Sequence, residues 1–238
     1  MNLSYDLHIH SCLSPCGDDE MTPYNLVNMA KICGCDIIAL TDHNTCLNCE
    51  SAIKAGENAG VTVVPGMELC TSEEIHCVCL FPGLQNALSF SEFVKTKIPP
   101  VKNKEKIFGR QLIMDHEDKV LGSFELLLTT AANISIEELS GLMKDYGGVW
   151  YPAHIDRSSY SLISSLGDFP KSLETPCFEL TYGGDEKLFK EKYDATGGKL
   201  LLRSSDAHYL EKLMSEKMTL ELEENSAKAL IKKLEEYK

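Results

Sequence analysis

Residues 36–68, DIIALTDHNTCLNCESAIKAGENAGVTVVPGME, decide the fold. Two apolar runs of strand length, 36–43 and 61–68, flank a helical pattern that stops at Gly60. Their nearly continuous apolar character suits strands covered on both faces, and a strand–helix–strand unit points to a parallel sheet. Each run also ends in chemistry-bearing residues, Asp42 with His43 in the first and Glu68 in the second.

The same alternation extends outward. YDLHIH (5–10), IHCVCLF (75–81), GVWYPAH (148–154), CFELTY (177–182) and LLRSSDAH (201–208) are further strand candidates. Between them, TPYNLVNMAKICG opens with Thr22 as N-cap and Pro23 at the first helical position and closes on Gly34. SIEELSGLMKDYGG carries Ser135 and Glu138 in capping-box spacing. FGRQLIMDHEDKVLGSFELLL departs from the pattern, since two apolar runs flank a polar turn as in a β-hairpin. The chain reads as one domain, 1–238, with an insertion around 95–130, and 238 residues with 43% hydrophobic content can bury one substantial core.

A net charge of −13 argues against a surface built for polyanions, so no long nucleic acid duplex is expected as a partner. No run approaches the ~20 apolar residues of a membrane span and the start lacks a secretory pattern, so a cytoplasmic protein is expected. Nine of the ten cysteines lie in the first third. They read as reduced thiols, although Cys46 and Cys49 have the C-x-x-C spacing of redox or metal sites and leave a redox role as an alternative.

Of seven histidines, six (His8, His10, His43, His76, His154 and His208) fall within or at the ends of strand candidates, and His116 falls in the hairpin turn. Side chains at strand ends of a parallel barrel converge on one mouth. Alternation puts His8 and His10 on the same side. Asp18, Asp42, Glu68 and Asp206 join these ends, and imidazoles with carboxylates are the ligand set of zinc, manganese or iron.

The stretches DLHIHS, ALTDHNT, GMEL, IHCVCLF, PAHIDR and SSDAH resemble, in order and along essentially the full chain, the motifs of the polymerase and histidinol phosphatase (PHP) superfamily. The resemblance implies an α/β fold, a distorted (β/α)7 TIM-like barrel, holding two or three divalent ions (Zn, Mn or Fe) that hydrolyse phosphate esters. It implies that His8, His10, Glu68 and Asp206 hold one ion, and that Glu68 bridges to a second bound by His76 and His154. A third falls to His43 and His208. Asp18 is expected to complete that site, with Asp19 and Cys16 as alternatives; some members carry histidine where this chain has Cys16. Asp42 is expected to orient His43.

Activated water makes a protein nucleophile unnecessary, and Ser14, Ser204 and Ser205 show no triad pattern. The expected catalytic set is Asp42, His43, His208 and Arg157. The proton donor is left open among a ligand histidine, Asp42 and bound water. Arg157, three residues after His154, is the favoured phosphate-binding group. Arg203 is the second choice, because its odd spacing from Asp206 and His208 turns it away from them. KTKIPPVKNKEKIFGR (95–110), with six basic residues against one acidic, is a solvated loop or a flap. Tyr151, Tyr160 and Tyr182 are candidates for base stacking or for barrel packing. The expected function is hydrolysis of a small phosphorylated metabolite or nucleotide. The alternatives are an exonuclease-like phosphodiesterase on short 5′-phosphorylated oligonucleotides and a non-catalytic metal-bound scaffold.

Overall fold

A computed structural model describes residues 1–170, 173–193, 198–213 and 218–237. Strands β1 (Asn2–Ile9), β2 (Ile37–Leu40) and β3 (Thr62–Cys70) run parallel, joined by helices α1 (Pro23–Ile32) and α2 (Cys49–Ala59). The expected punctuation is present. Thr22 Oγ1 accepts the Asn25 N–H at 3.1 Å, and Gly34 and Gly60 end the two helices in the left-handed region at φ 76°.

Strand β4 (His76–Leu80) breaks the parallel rule. Five residues separate it from β3, far fewer than the dozen or so of a parallel crossover, so the pair closes as an antiparallel hairpin with Cys70 opposite His76. Helix α3 (Leu84–Lys95) leads to the one-turn helix α4 (Glu105–Phe108) and the hairpin of β5 (Leu112–Met114) and β6 (Val120–Ser123), a separate small sheet. Helix α5 (Ile136–Asp145), opened by the Ser135–Glu138 capping box, returns the chain to β7 (Val149–Pro152), antiparallel to β4. There follow α6 (Leu162–Leu166), β8 (Cys177–Leu180), α7 (Glu186–Lys192), β9 (Leu200–Arg203), β10 (Met218–Glu221) and α8 (Ala227–Glu235).

The main sheet has the order β10-β1-β2-β3-β4-β7, and β8 with β9 forms a parallel pair. That pair continues the curl. Ile155 N–H reaches Glu179 O on the β7 side, and a single bridge joins Ala207, beyond β9, to Ile9 of β1. Among the described residues no ladder joins β7 to β8, so the fold is a mixed α/β structure with a curled, half-barrel sheet. Strand β10 was not anticipated; it pairs antiparallel with the first half of β1.

Strand alternation divides the core in two. Leu7, Ala39, Val64, Val78, Tyr151 and Leu202 pack inside the curl with Leu230 and Leu234 of α8. Ile38, Leu40, Met67 and Cys79 face the helices and meet Leu26, Ala52 and Phe90. In β1 the register shifts between Asp6 and Ile9. Leu7 therefore packs in the inner core while Ile9 joins the outer one, and His8 and His10 emerge together at the open end.

Candidate metal centre

Strand direction explains the convergence. His43 follows β2 and bridges to Glu68 near the end of β3. Because β4 runs backward, its first residue His76 stands at that same end, and His154 stands there two residues past β7. Asp206 and His208 follow β9. His154 (φ 30°) and Asp206 (φ 49°) adopt the left-handed backbone that L side chains rarely take, strain of a kind that gathers at functional sites.

Glu68 is the hub. Its Oε1 lies 3.2 Å from His8 Nε2, 2.8 Å from His76 Nδ1 and 3.2 Å from His154 Nε2. Its Oε2 lies 2.9 Å from His43 Nδ1 and 3.3 Å from His10 Nε2. Asp206 Oδ1 lies 3.1 Å from His10 Nε2 and 3.4 Å from His8 Nε2. Among the described residues, donor atoms within 4.8 Å of one another form three groups: His8, His10, Glu68 and Asp206; His43, Glu68 and His76; and His10, His43 and His208.

Hydrogen bonding behind the rings fixes which nitrogen faces inward. His8 Nδ1 lies 2.9 Å from Glu179 Oε1; the carboxylate accepts, so in the neutral imidazole Nε2 is the nitrogen left free to bind a metal. The Ser14 hydroxyl donates to Asp42 Oδ1 at 2.7 Å, so Ser14 Oγ accepts from His10 Nδ1 at 3.0 Å and from the His43 N–H at 3.2 Å. His10 Nε2 likewise faces inward, 3.2 Å from His8 Nε2, and a proton or a metal ion must lie among these nitrogens and the carboxylate oxygens beside them. Glu68 Oε2, Asp206 Oδ1 and His43 Nδ1 are moreover buried without a hydrogen-bond partner. This nitrogen and oxygen set fits divalent metal ions.

Charge follows the same arrangement. Burial pushes the Glu68 carboxyl pKa up, but His76, His8 and His43 around it hold it well below the usual range. Burial also opposes ionisation of Asp206, and His8 and His10 outweigh it. The His76 pKa is pushed down to about 4, mainly by burial.

The remaining sequence candidates divide. Both Asp42 oxygens accept hydrogen bonds from Ser11 and Ser14, so its link into the cluster runs through Ser14 to His10 and to the His43 backbone. Asp18 Oδ1 accepts from the Glu20 N–H, and Asp19 is paired with Arg110. Cys16 is exposed, yet its thiol meets His43 and His208; burial of the thiol opposes ionisation, and those imidazoles override it and lower its pKa to about 5. Arg157 Nη1 lies 2.7 Å from Asp206 Oδ2. Arg203 instead donates to the carbonyls of Thr181, Tyr182 and Gly184, as its strand parity dictates. Ser204 Oγ accepts the Leu7 N–H and Ser205 N–H donates to Asp6, both structural roles. Tyr151 is fully buried, Tyr182 is half-buried, and Tyr160 is exposed and stacked on His76 with ring centroids 4.8 Å apart. Cys46 and Cys49 are buried and donate to Gly66 O, so this C-x-x-C is core packing.

Sequence reasoning missed Glu179. Its Oε1 accepts from both His8 Nδ1 and the His154 N–H, and the available signal was a lone charge within the apolar run CFELTY. It also missed Asp156, which holds the Arg157 loop to Thr181 through both oxygens. Beside the cluster opens a cleft of about 880 Å³ whose walls include Cys16, Arg157, Tyr182, Asp206, His208 and Lys212.

A PHP domain model matches residues 6–232. The chain belongs to the PHP family. That family's enzyme class is the hydrolases acting on phosphate ester bonds. The PHP chain is 36% identical over 83 residues to a 5′-3′ exoribonuclease of Haemophilus influenzae, covering 34% of this chain and 29% of that one. It is 34% identical over 99 residues to an uncharacterized protein of Methanocaldococcus jannaschii, covering 38% and 58%. The lesion-specific endonuclease (Endonuclease Q) of Pyrococcus furiosus has a similar fold, with TM-score 0.70 at 20% identity over 99% of this chain and 56% of that one. The match thus spans less than two thirds of each of these proteins. No helix among the described residues is long and apolar enough to cross a membrane.

Proposed function

We propose that this PHP protein is a metal-dependent phosphoesterase that removes a terminal phosphate from a small phosphorylated metabolite or nucleotide. The supporting observation is the Arg157–Asp206 contact of 2.7 Å, which sets a half-exposed guanidinium on the cleft wall directly beside the ligand cluster. Its planar fork suits phosphate oxygens. His8, His10, Glu68, His76, His154 and Asp206 would hold two ions, and His43 with His208 a third. Divalent ions bound there supply Lewis acidity and water acidified towards neutrality. Glu179 and the Asp42–Ser14 relay keep the Nε2 atoms of His8 and His10 turned inward. His208 is oriented by the contact of its Nδ1 with Asp206 O at 2.9 Å.

A second reading, the 5′ end of a short oligonucleotide, is favoured by exposed Tyr160, whose ring next to the cluster is available to a base, and by the likeness to an exoribonuclease. The test compares kcat/KM on a nucleoside monophosphate, a sugar phosphate, a 5′-phosphorylated trinucleotide and an internal diester, after loading with Zn, Mn or Fe. Faster cleavage of the monoesters supports the first reading and of the trinucleotide the second. Preferential cleavage of the internal diester rejects both.

A further inference from the structure

Asn48 stands immediately before helix α2, a position where asparagine is favoured because its side-chain oxygen can accept a free N–H of the first turn. Here the side chain caps no N–H of the helix. It is fully buried and turned the other way, toward the inserted hairpin and the loop after β1. Its Oδ1 accepts the Met114 N–H at 3.0 Å, and its Nδ2 donates to Leu112 O at 3.1 Å and to Ser11 Oγ at 2.9 Å. A backbone N–H only donates and a carbonyl only accepts, so the two β5 contacts fix which end of the amide is nitrogen. The direction of every later bond follows. The single Ser11 hydroxyl proton goes to Asp42 Oδ2 at 2.6 Å, so the Ser11 oxygen accepts from Asn48. The Ser14 hydroxyl likewise donates to Asp42 Oδ1 at 2.7 Å and accepts from His10 Nδ1 at 3.0 Å. Asn48, Ser11, Asp42, Ser14 and His10 thus form one buried chain, with Asp42 the acceptor at its centre and both hydroxyl protons committed. Such a network is stiff, because a change at one member leaves its neighbour unsatisfied. Strand β5 is docked from two further sides, by Ser51 Oγ donating to Met114 O at 2.7 Å and by the Leu112 N–H donating to Cys12 O at 2.9 Å.

We propose that Asn48 is a positioning residue that makes the orientation of the His10 ring depend on the docking of β5, so that the 95–130 insertion is a working part of the metal centre. This rests on the metal-centre reading above. Asn48 touches no metal ligand itself. By donating to Ser11 it holds the Ser11 hydroxyl on Asp42, and Asp42 in turn holds the Ser14 hydroxyl in the one arrangement that accepts from His10 Nδ1. His10 Nε2 is thereby kept toward Glu68 Oε2 and Asp206 Oδ1. Without the Asn48 donor, Ser11 and Asp42 can turn, and the ring loses its fixed backing.

A double-mutant cycle on metal affinity tests this, with the apoprotein of the full chain titrated with zinc by calorimetry. Asn48→Ala and Ser14→Ala should each weaken zinc binding by about 10–100-fold, the range for loss of a partner behind a ligand. The double variant should bind no more weakly than Ser14→Ala alone, because the chain is already cut at Ser14. A residue that only stabilises the fold would instead add its own loss. Ser11→Ala keeps both contacts of Asn48 with β5, so it tests the same chain even if Asn48→Ala does not fold. It should lose affinity by the same order while the Met114 amide stays protected from hydrogen exchange. Unchanged affinity in any single variant, or losses that add in the double variant, would overturn the role of Asn48 and leave the metal centre standing. A wild type that binds no zinc would overturn the centre itself, and this role with it.

Discussion

On the floor of the centre, ligands stand on or just past strands and lean on buried partners, whereas at its rim the groups stand on loops and face solvent. His8 and His10 are fully buried, braced by Glu179 and Ser14. The side chains of His208 and Arg157 are 21% and 45% exposed, and Cys16 is exposed as well. A strand-borne ligand inherits its position from the sheet, so the floor sets where ions sit. A loop-borne group is placed by a few side-chain contacts, so the rim sets what meets the ions.

The sharpest way to break this comparison is Glu68→Gln. Glu68 touches five histidines, and an amide brings neither its charge nor its paired lone pairs to them. Metal content should collapse, and kcat/KM should fall by roughly 10³-fold or more, since metal ions supply several kcal/mol of transition-state stabilisation. His116→Ala, in the hairpin turn, should change neither. Elemental analysis beside kinetics decides it, and equal losses in the two variants would remove the hub.

Glu179→Gln sharpens the comparison from behind the floor. One oxygen of Glu179 holds both the His8 ring and the left-handed His154 backbone. Loss of such a carboxylate brace typically weakens metal affinity by about 10–100-fold. Isothermal titration of the apoprotein with zinc measures it. Unchanged affinity would mean that the strand position alone fixes His8.

The same division governs what the sequence disclosed. His8, His10, Glu68 and His76 were legible because they lie within or at the ends of apolar runs, and a strand carries such residues to a predictable place. The backward run of β4 was also written in the sequence, in a five-residue connection too short for a crossover, but strand–helix alternation overshadowed it. At the rim, spacing says little. Asp18, Asp19 and Cys16 lie within four residues of one another, and what withdraws Asp19 is Arg110, far along the chain in the basic 95–110 stretch that reads by itself as a solvated loop. Glu179 acts only through rings delivered by other strands, so its partners were invisible until the sheet curled.

At the rim, Arg157→Ala should leave the ions bound and lower kcat/KM on a phosphomonoester by about tenfold. This is the low end for a hydrogen bond to a charged group, because the guanidinium is half solvated. Separating KM from kcat shows whether the contact forms in the ground state or only in the transition state. Metal loss in this variant would place Arg157 with the floor, as a brace for Asp206.

The smallest expected effect on turnover belongs to the other arginine. Arg203 Nη1 donates to Thr181 O at 2.8 Å and Tyr182 O at 3.2 Å, and Nη2 donates to Gly184 O at 2.8 Å, which ties the loop after β8 to β9. All three partners are backbone carbonyls, so the guanidinium is occupied in holding the cleft wall and does not face the ions. Arg203→Ala should therefore lower unfolding free energy by about 1–3 kcal/mol, as expected when a charged donor is removed from half-buried carbonyls. Metal content and kcat/KM should stay within about twofold of the wild type. Denaturant midpoints measured beside kinetics separate the two roles. If Arg203→Ala kept its midpoint and lost activity as Arg157→Ala does, Arg203 would be a substrate ligand, and the line between a wall that holds and a rim that recognises would have to be redrawn.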